Sequence, residues 1–261
     1  GESDELMTLS FNRQITPLTW TDGFVPTDMA TGSQGELYVA GRGYDDVLQV
    51  RIYDQKGEQS GSTLELNAGA TAAATEVYLA LGKRTERVDG RSTTYEELVV
   101  AYSDAGQAVV ELYRKDGDTG AYGPVFDKYR LAFGSSGNDA VKRVGYQGTN
   151  GDLVVAGESD GAWGGQSNSG GIDTFLAVVE TIGEDEELRL KEVRQEGSTG
   201  NDRVAGASTE FSTPMLFGYA PGVVDGNGAV GPFFYSGTAD GAVYGIGGDA
   251  SEQLRHGLYS N

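Results

Sequence analysis

Among 261 residues there is one histidine, His256, and no cysteine, while aspartate and glutamate number 39, so carboxylates carry most of the chemistry open to this chain. A Ser-His-Asp triad would have to be assembled around His256 alone. Disulfides, thiolate catalysis and cysteine-based zinc sites are excluded. Glycoside hydrolysis needs two carboxyl groups held about 5 to 9.5 Å apart, but with so many acids no pair is singled out by spacing. One acidic run has a ligand-like rhythm. In "KDGDTGAYG" (115 to 123), Asp116, Asp118 and Gly120 are spaced as at the start of a calcium loop, without the later bidentate acid of an EF-hand. The same residues are those tight turns prefer, so the run is expected to be a turn between strands, with calcium the one cofactor it would take.

A second constellation suits binding rather than catalysis. The segment "ESDGAWGGQSNSGGID" (158 to 173) sets Trp163 among Asp160, Gln166 and Asn168. An exposed indole with amides and a carboxylate nearby offers a sugar or peptide an apolar face and planar hydrogen bonding. The competing reading is that Trp163 packs inward as a cap on the core. "DGNG" (225 to 228) adds Asp225 and Asn227, and "TNGD" (149 to 152) has the same composition, although Asn-Gly is also a strong hairpin signal.

Composition limits the partners. Lysine and arginine total 19 against 39 acids, a formal net charge of −20, which argues against nucleic acid and anionic membranes. No run of 18 apolar residues would insert into a bilayer. The start, "GESDELMTLSF", does not read as a signal peptide, and its Gly in place of Met is expected of a segment excised from a larger exported product. With 38% hydrophobic residues the chain can bury a sizeable core, and its 41 glycines imply many turns.

Those turns separate strands that recur. "ELYVAG" (36 to 41), "ELVVAY" (97 to 102), "DLVVAG" (152 to 157) and "PMLFGY" (214 to 219) mark four units of similar length. Each divides into strands A to D, shown best by the third: "AVKRVGYQ" (140 to 147), "DLVVAG", "TFLAVVE" (174 to 180) and "LRLKEVRQE" (188 to 196). Units are expected at about 13–67, 68–133, 134–196 and 197–261, in one domain. "ELMTLSFN" (5 to 12) would be a closing strand beside "EQLRHGLYS" (252 to 260), and "KRTERVDGRSTTYE" (83 to 96) an inserted loop. "GSSGND" (134 to 139) and "GSTGND" (197 to 202) fall at the joints between units. Four-stranded antiparallel units with glycine at their joints point to an all-β fold, a β-propeller of about four or five blades, with a β-sandwich as the alternative.

The stretch 133 to 164 resembles the bacterial β-propeller repeat family, in which G-x-x-x-x-D precedes an apolar strand, a D/N-G turn and a "vyvaG" strand. The matching residues are Gly134, Asp139, Asn150, Gly151, Leu153, Val154, Val155, Ala156 and Gly157. The resemblance implies an exported or surface protein, extracellular or periplasmic, and no particular reaction. In a propeller, the B-to-C loops and D-to-A links share one face. That would bring Trp163, Asp225 and Asn227 beside both "GND" joints. The expected function is a non-catalytic adhesion module binding glycan or protein at a cell surface or in the envelope. The alternatives are a propeller glycoside hydrolase or lyase using paired carboxylates, and a structural spacer.

Overall fold

Leu98, Val100 and Tyr102 point one way from their strand and Val99 and Ala101 the other, and all five are fully buried. Period-two alternation with both faces apolar requires a covering layer on each side, and the chain supplies those layers in sequence order. A computed structural model describes residues 20–61, 63–69, 75–88, 91–125, 128–147, 151–182, 187–197, 199–208, 215–224 and 229–236, with backbone alone for 87–88, 205–208, 215–224 and 229–236. The expected closing strand 5–12 and outer strand 252–260 lie outside these residues, as do Asp225 and Asn227.

Four antiparallel sheets follow one another. The first holds β1 (Val25–Thr31), β2 (Leu37–Arg42), β3 (Leu48–Tyr53) and β4 (Leu64–Glu65). The second holds β5 (Tyr78–Val88), β6 (Arg91–Asp104) and β7 (Gln107–Lys115), and the outer edge of β7 is covered in two halves by β8 (Tyr122–Pro124) and β9 (Arg130–Phe133). The third holds β10 (Asp139–Gln147), β11 (Asp152–Ser159), β12 (Asp173–Ile182) and β13 (Glu187–Glu196). The fourth, among the described residues, holds β14 (Arg203–Ser208), β15 (Met215–Val224) and β16 (Ala229–Ser236). The all-β class is therefore present, and the first three sheets each carry four or five antiparallel strands.

Cores form between consecutive sheets. Leu98, Val100 and Tyr102 meet Tyr38, Ala40, Leu48 and Val50 of the first sheet, while Val99 and Ala101 meet Val141, Leu153, Val155 and Phe175 of the third. Val154, Ala156 and Leu176 face Val204 of the fourth. Each fully buried Val or Leu is worth about 1.5 to 3 kcal/mol, so these faces hold the sheets in order.

A shared irregularity explains the glycine that ends two of the B-strand repeats. The ladder slips between Pro26 and Asp28, between Val141 and Arg143, and between Val204 and Gly206, each time opposite or beside a glycine: Gly41, Gly157 and Gly218. A Cβ on Gly41 would collide with Val25 O and one on Gly157 with Ala140 O, so only glycine admits these bulges. "ELVVAY" has Tyr102 where "ELYVAG" and "DLVVAG" have glycine, and the β5–β6 ladder runs without a slip.

Two loops differ from expectation. Residues 83–88 and 91–96 extend the β5–β6 hairpin as paired strands, Lys83 opposite Glu96 through Val88 opposite Arg91, rather than forming a loop. Their alternation of polar side chains lacks an apolar face, which hid the strand signal. Likewise the connection at 220 to 231, a B-to-C loop in the propeller order, carries paired strand, Ala220 opposite Gly231 and Val224 opposite Ala229.

Candidate functional site

In meanders, alternate turns leave opposite ends of each sheet, giving the stack two edges. The upper edge carries the β11–β12 loop and both "GND" joints. Here Asn138 N donates to Asp160 Oδ1 at 2.6 Å and Asn138 Nδ2 to Asp160 Oδ2 at 3.0 Å. On the other side of the same loop Ile172 N donates to Asn201 Oδ1 at 3.1 Å and Asp202 N to Ile172 O at 2.6 Å. The two joints thus bracket the 159–173 loop, and the shared edge expected for them is present.

The side chains expected to face a ligand there are engaged within the protein. Trp163 is 3% exposed and packs between Phe133 and Phe175, with ring centroids 6.0 and 5.1 Å away, so its indole caps the core and offers no open face. The residue sits over the gap between the second and third sheets, where apolar burial outweighs exposure. Gln166 completes the edge of β13, donating from Nε2 to Val193 O at 2.9 Å and accepting from Gln195 N at 2.7 Å. Asn168 Oδ1 accepts from Gly170 N at 2.9 Å. Asp160 is exposed, but its hydrogen bonds from Asn138 hold its carboxyl below the usual aspartate range.

Asp116 and Asp118 form a self-contained turn. Asp116 Oδ1 accepts from Asp118 N at 3.1 Å, Thr119 N at 2.6 Å and Thr119 Oγ1 at 2.7 Å, and Gly120 follows in the left-handed region at φ +69. These donors stabilise the charged carboxylate without a metal and lower its pKa, the Thr119 backbone bond most. Among the described residues no group of three or more His, Cys, Asp or Glu is placed to hold a metal ion.

The lower edge has an open cleft that sequence reasoning missed. A cavity of about 380 Å³ lies between the first and second sheets, lined by Ser33, Tyr38, Lys83, Glu96 and Tyr122 together with the Thr31–Gly32 and Leu81–Gly82 backbone. The β1–β2 turn delivers Ser33 and the extended β5–β6 hairpin delivers Lys83 and Glu96. Tyr38 and Tyr122 pack edge to face at 5.9 Å, their hydroxyls 3.0 Å apart. Ser33 Oγ donates to Glu96 Oε1 at 2.6 Å and Lys115 Nζ to Glu96 Oε2 at 3.1 Å. Those partners, Ser33 foremost, hold Glu96 below the ordinary glutamate range, whereas burial and then the Tyr38 hydroxyl push the Tyr122 phenol up.

Behind the cleft, the ion pairs of the hairpin converge on one buried carboxylate. Glu97, 0% exposed, accepts from Arg84 Nε at 3.2 Å and Arg114 Nη2 at 2.8 Å, and Arg114 also reaches Glu86 Oε1 at 2.7 Å. The Arg114 guanidinium lies 4.1 Å from the Tyr95 ring centroid. This network fixes the hairpin that forms one wall. The contacts that join the two sheets at the cleft link residues 63 to 84 positions apart, which local pattern does not reveal.

Compared with known proteins, the chain matches no family model and no curated sequence.

Proposed function

We propose that this chain is a non-catalytic binding module, a β-propeller of an exported or surface bacterial protein, which takes a glycan or protein segment into the cleft between its first and second sheets. The observation that carries the reading is the cleft's composition. Paired tyrosines, a serine hydroxyl, an ammonium and an ionised carboxylate line about 380 Å³, a volume within the range of small-ligand sites. Aromatic edges beside fixed donors and acceptors suit a sugar ring or a short polar peptide.

Repetition of four sheets, three of them with like-placed bulges, supports the propeller, because radial stacking buries both faces of each sheet as observed for the second and third. Binding is favoured over hydrolysis by the state of Glu96. A glycosidase acid must stay protonated, and the neighbours of Glu96 hold it ionised. The acids raised by burial, Asp139 and Asp173, lie at the upper edge instead.

The test is a glycan array and an envelope-peptide array probed with the intact chain, followed by calorimetry on Tyr122→Ala and Lys83→Ala. The expected result is a hit weakened at least tenfold by either substitution. Array binding unaffected by both, or no binding on either array, overturns the reading.

A further inference from the structure

One wall of the cleft is the main chain of β5, and that strand has an open side. β5 ends the order of the second sheet, with β6 as its ladder partner. Near the start of β5 the open side is occupied by side chains of the first sheet. Val77 N donates to Thr27 Oγ1 at 3.0 Å, Thr27 Oγ1 donates to Val77 O at 2.7 Å, and Leu79 N donates to Asp28 Oδ2 at 3.0 Å.

These bonds fix the parity of the strand. Residues 77 and 79 turn their main-chain groups away from β6, and alternation along an extended chain gives Leu81 and Lys83 the same direction. Each therefore presents an N–H and a C=O away from β6, and both residues line the cleft. Among the described residues no strand or side chain bonds to them on that side. The Leu81 side chain packs into the core between the first two sheets, which holds its amide in place before any ligand arrives. On the opposite face the Tyr146 ring lies 2.6 Å from the point that a Cβ on Gly82 would occupy, so the third sheet fills that face and entry is from the first-sheet side.

We propose that the cleft takes an extended acidic peptide segment of a partner protein, which adds to the open side of β5 as a further strand at Leu81 and Lys83. The inference rests on the cleft being the binding site and chooses protein over glycan. An unpaired strand side is a template for another chain, and strand addition draws affinity from main-chain bonds while alternate side chains set specificity. A sugar lacks the N–H and C=O groups that repeat at about 3.3 Å per residue and match such a ladder. The acidic character follows from Lys83. It stands opposite Glu96, whose oxygens hold Ser33 Oγ at 2.6 Å and Lys115 Nζ at 3.1 Å. Lys83 acts on Glu96 through its field and, among the described residues, closes no hydrogen bond or ion pair with its ammonium. Its donors are open to an incoming carboxylate. The strand already accepts one carboxylate two residues above the cleft, that of Asp28 on Leu79 N.

Phage-displayed random decapeptides selected on the intact chain, run beside the glycan array, test this. The selected peptides should carry aspartate or glutamate in alternation with β-branched residues, and the synthetic peptides should lose affinity roughly tenfold or more when alternate backbone amides are N-methylated. In the complex the Leu81 and Lys83 amides should exchange with deuterium roughly tenfold more slowly or better, whereas Leu79, already bonded to Asp28, is unchanged. Lys83→Gln should weaken the peptide several-fold and flatten its salt dependence. A library that yields no binder overturns the proposal, as do peptides indifferent to N-methylation, unchanged exchange at Leu81, or full affinity in Lys83→Gln. If a glycan binds and Tyr122→Ala weakens it while no peptide binds, strand addition falls and the cleft stands as a site. If neither class binds, both readings fall.

Discussion

Asn138 grips Asp160 by two hydrogen bonds at once, backbone amide to Oδ1 at 2.6 Å and side-chain amide to Oδ2 at 3.0 Å. A residue from a joint between sheets thereby fixes the start of the β11–β12 loop, and the loop's polar side chains serve its own conformation before any ligand.

That grip makes a pH prediction. The folded carboxyl of Asp160 titrates below its unfolded value because Asn138 stabilises the anion. Its contribution is therefore present above the unfolded pKa, near 3.9, and is lost as pH falls through the lower folded pKa. Carboxyl chemical shifts should place Asp160 below 3.8 in the native chain and return it toward that value in Asn138→Ala.

Glycine at 161 is required by close approach. An added Cβ would collide with Gly137 N and lie 2.5 Å from Ser135 Oγ, whereas one on Gly164 meets nothing within 4 Å. Gly161→Ala should cost about 2 kcal/mol or more in urea unfolding, and Gly164→Ala should be near neutral.

Burial of Trp163 separates size from polarity. Trp163→Ala should destabilise by about 3 to 5 kcal/mol through the cavity left between Phe133 and Phe175. Trp163→Phe should cost distinctly less, because the indole Nε1 is buried without a hydrogen-bond partner and its removal relieves that penalty. Native Trp163 fluorescence should be blue-shifted and poorly quenched by iodide.

Glu97 stands between Arg84 and Arg114 with no solvent access. Glu97→Ala should cost about 3 to 5 kcal/mol, since two guanidinium groups lose their buried counter-charge. Glu96→Ala, beside it but at the cleft, should cost under about 1 kcal/mol of stability while weakening any ligand held there. Denaturation midpoints and calorimetry on the two variants distinguish wall from site.

The strands were legible because their pattern is local. "DLVVAG" and "TFLAVVE" are apolar on both faces, and their bounds agree with β11 and β12 to within a few residues. The hairpin extension was not, since Arg84, Glu86 and Glu97 are polar residues whose charges are satisfied only by pairing in the fold, Arg84 with Glu97 and both glutamates with Arg114. Trp163 shows the same limit in reverse. Its Gly-rich, polar neighbours read as an open loop, and only the position of Phe133 and Phe175 on two different sheets turns it inward.

By itself the sequence determined an all-β chain of repeated four-strand units, their order, and the glycines at their joints, because alternation and turn chemistry act over a few residues. Tertiary structure decided which side chains meet: Tyr38 with Tyr122 across 84 residues, Ser33 with Glu96 across 63, and Asp173 with Asp202 over Gly197. Such meetings depend on how twisted sheets stack, a property of the whole chain that no short stretch encodes.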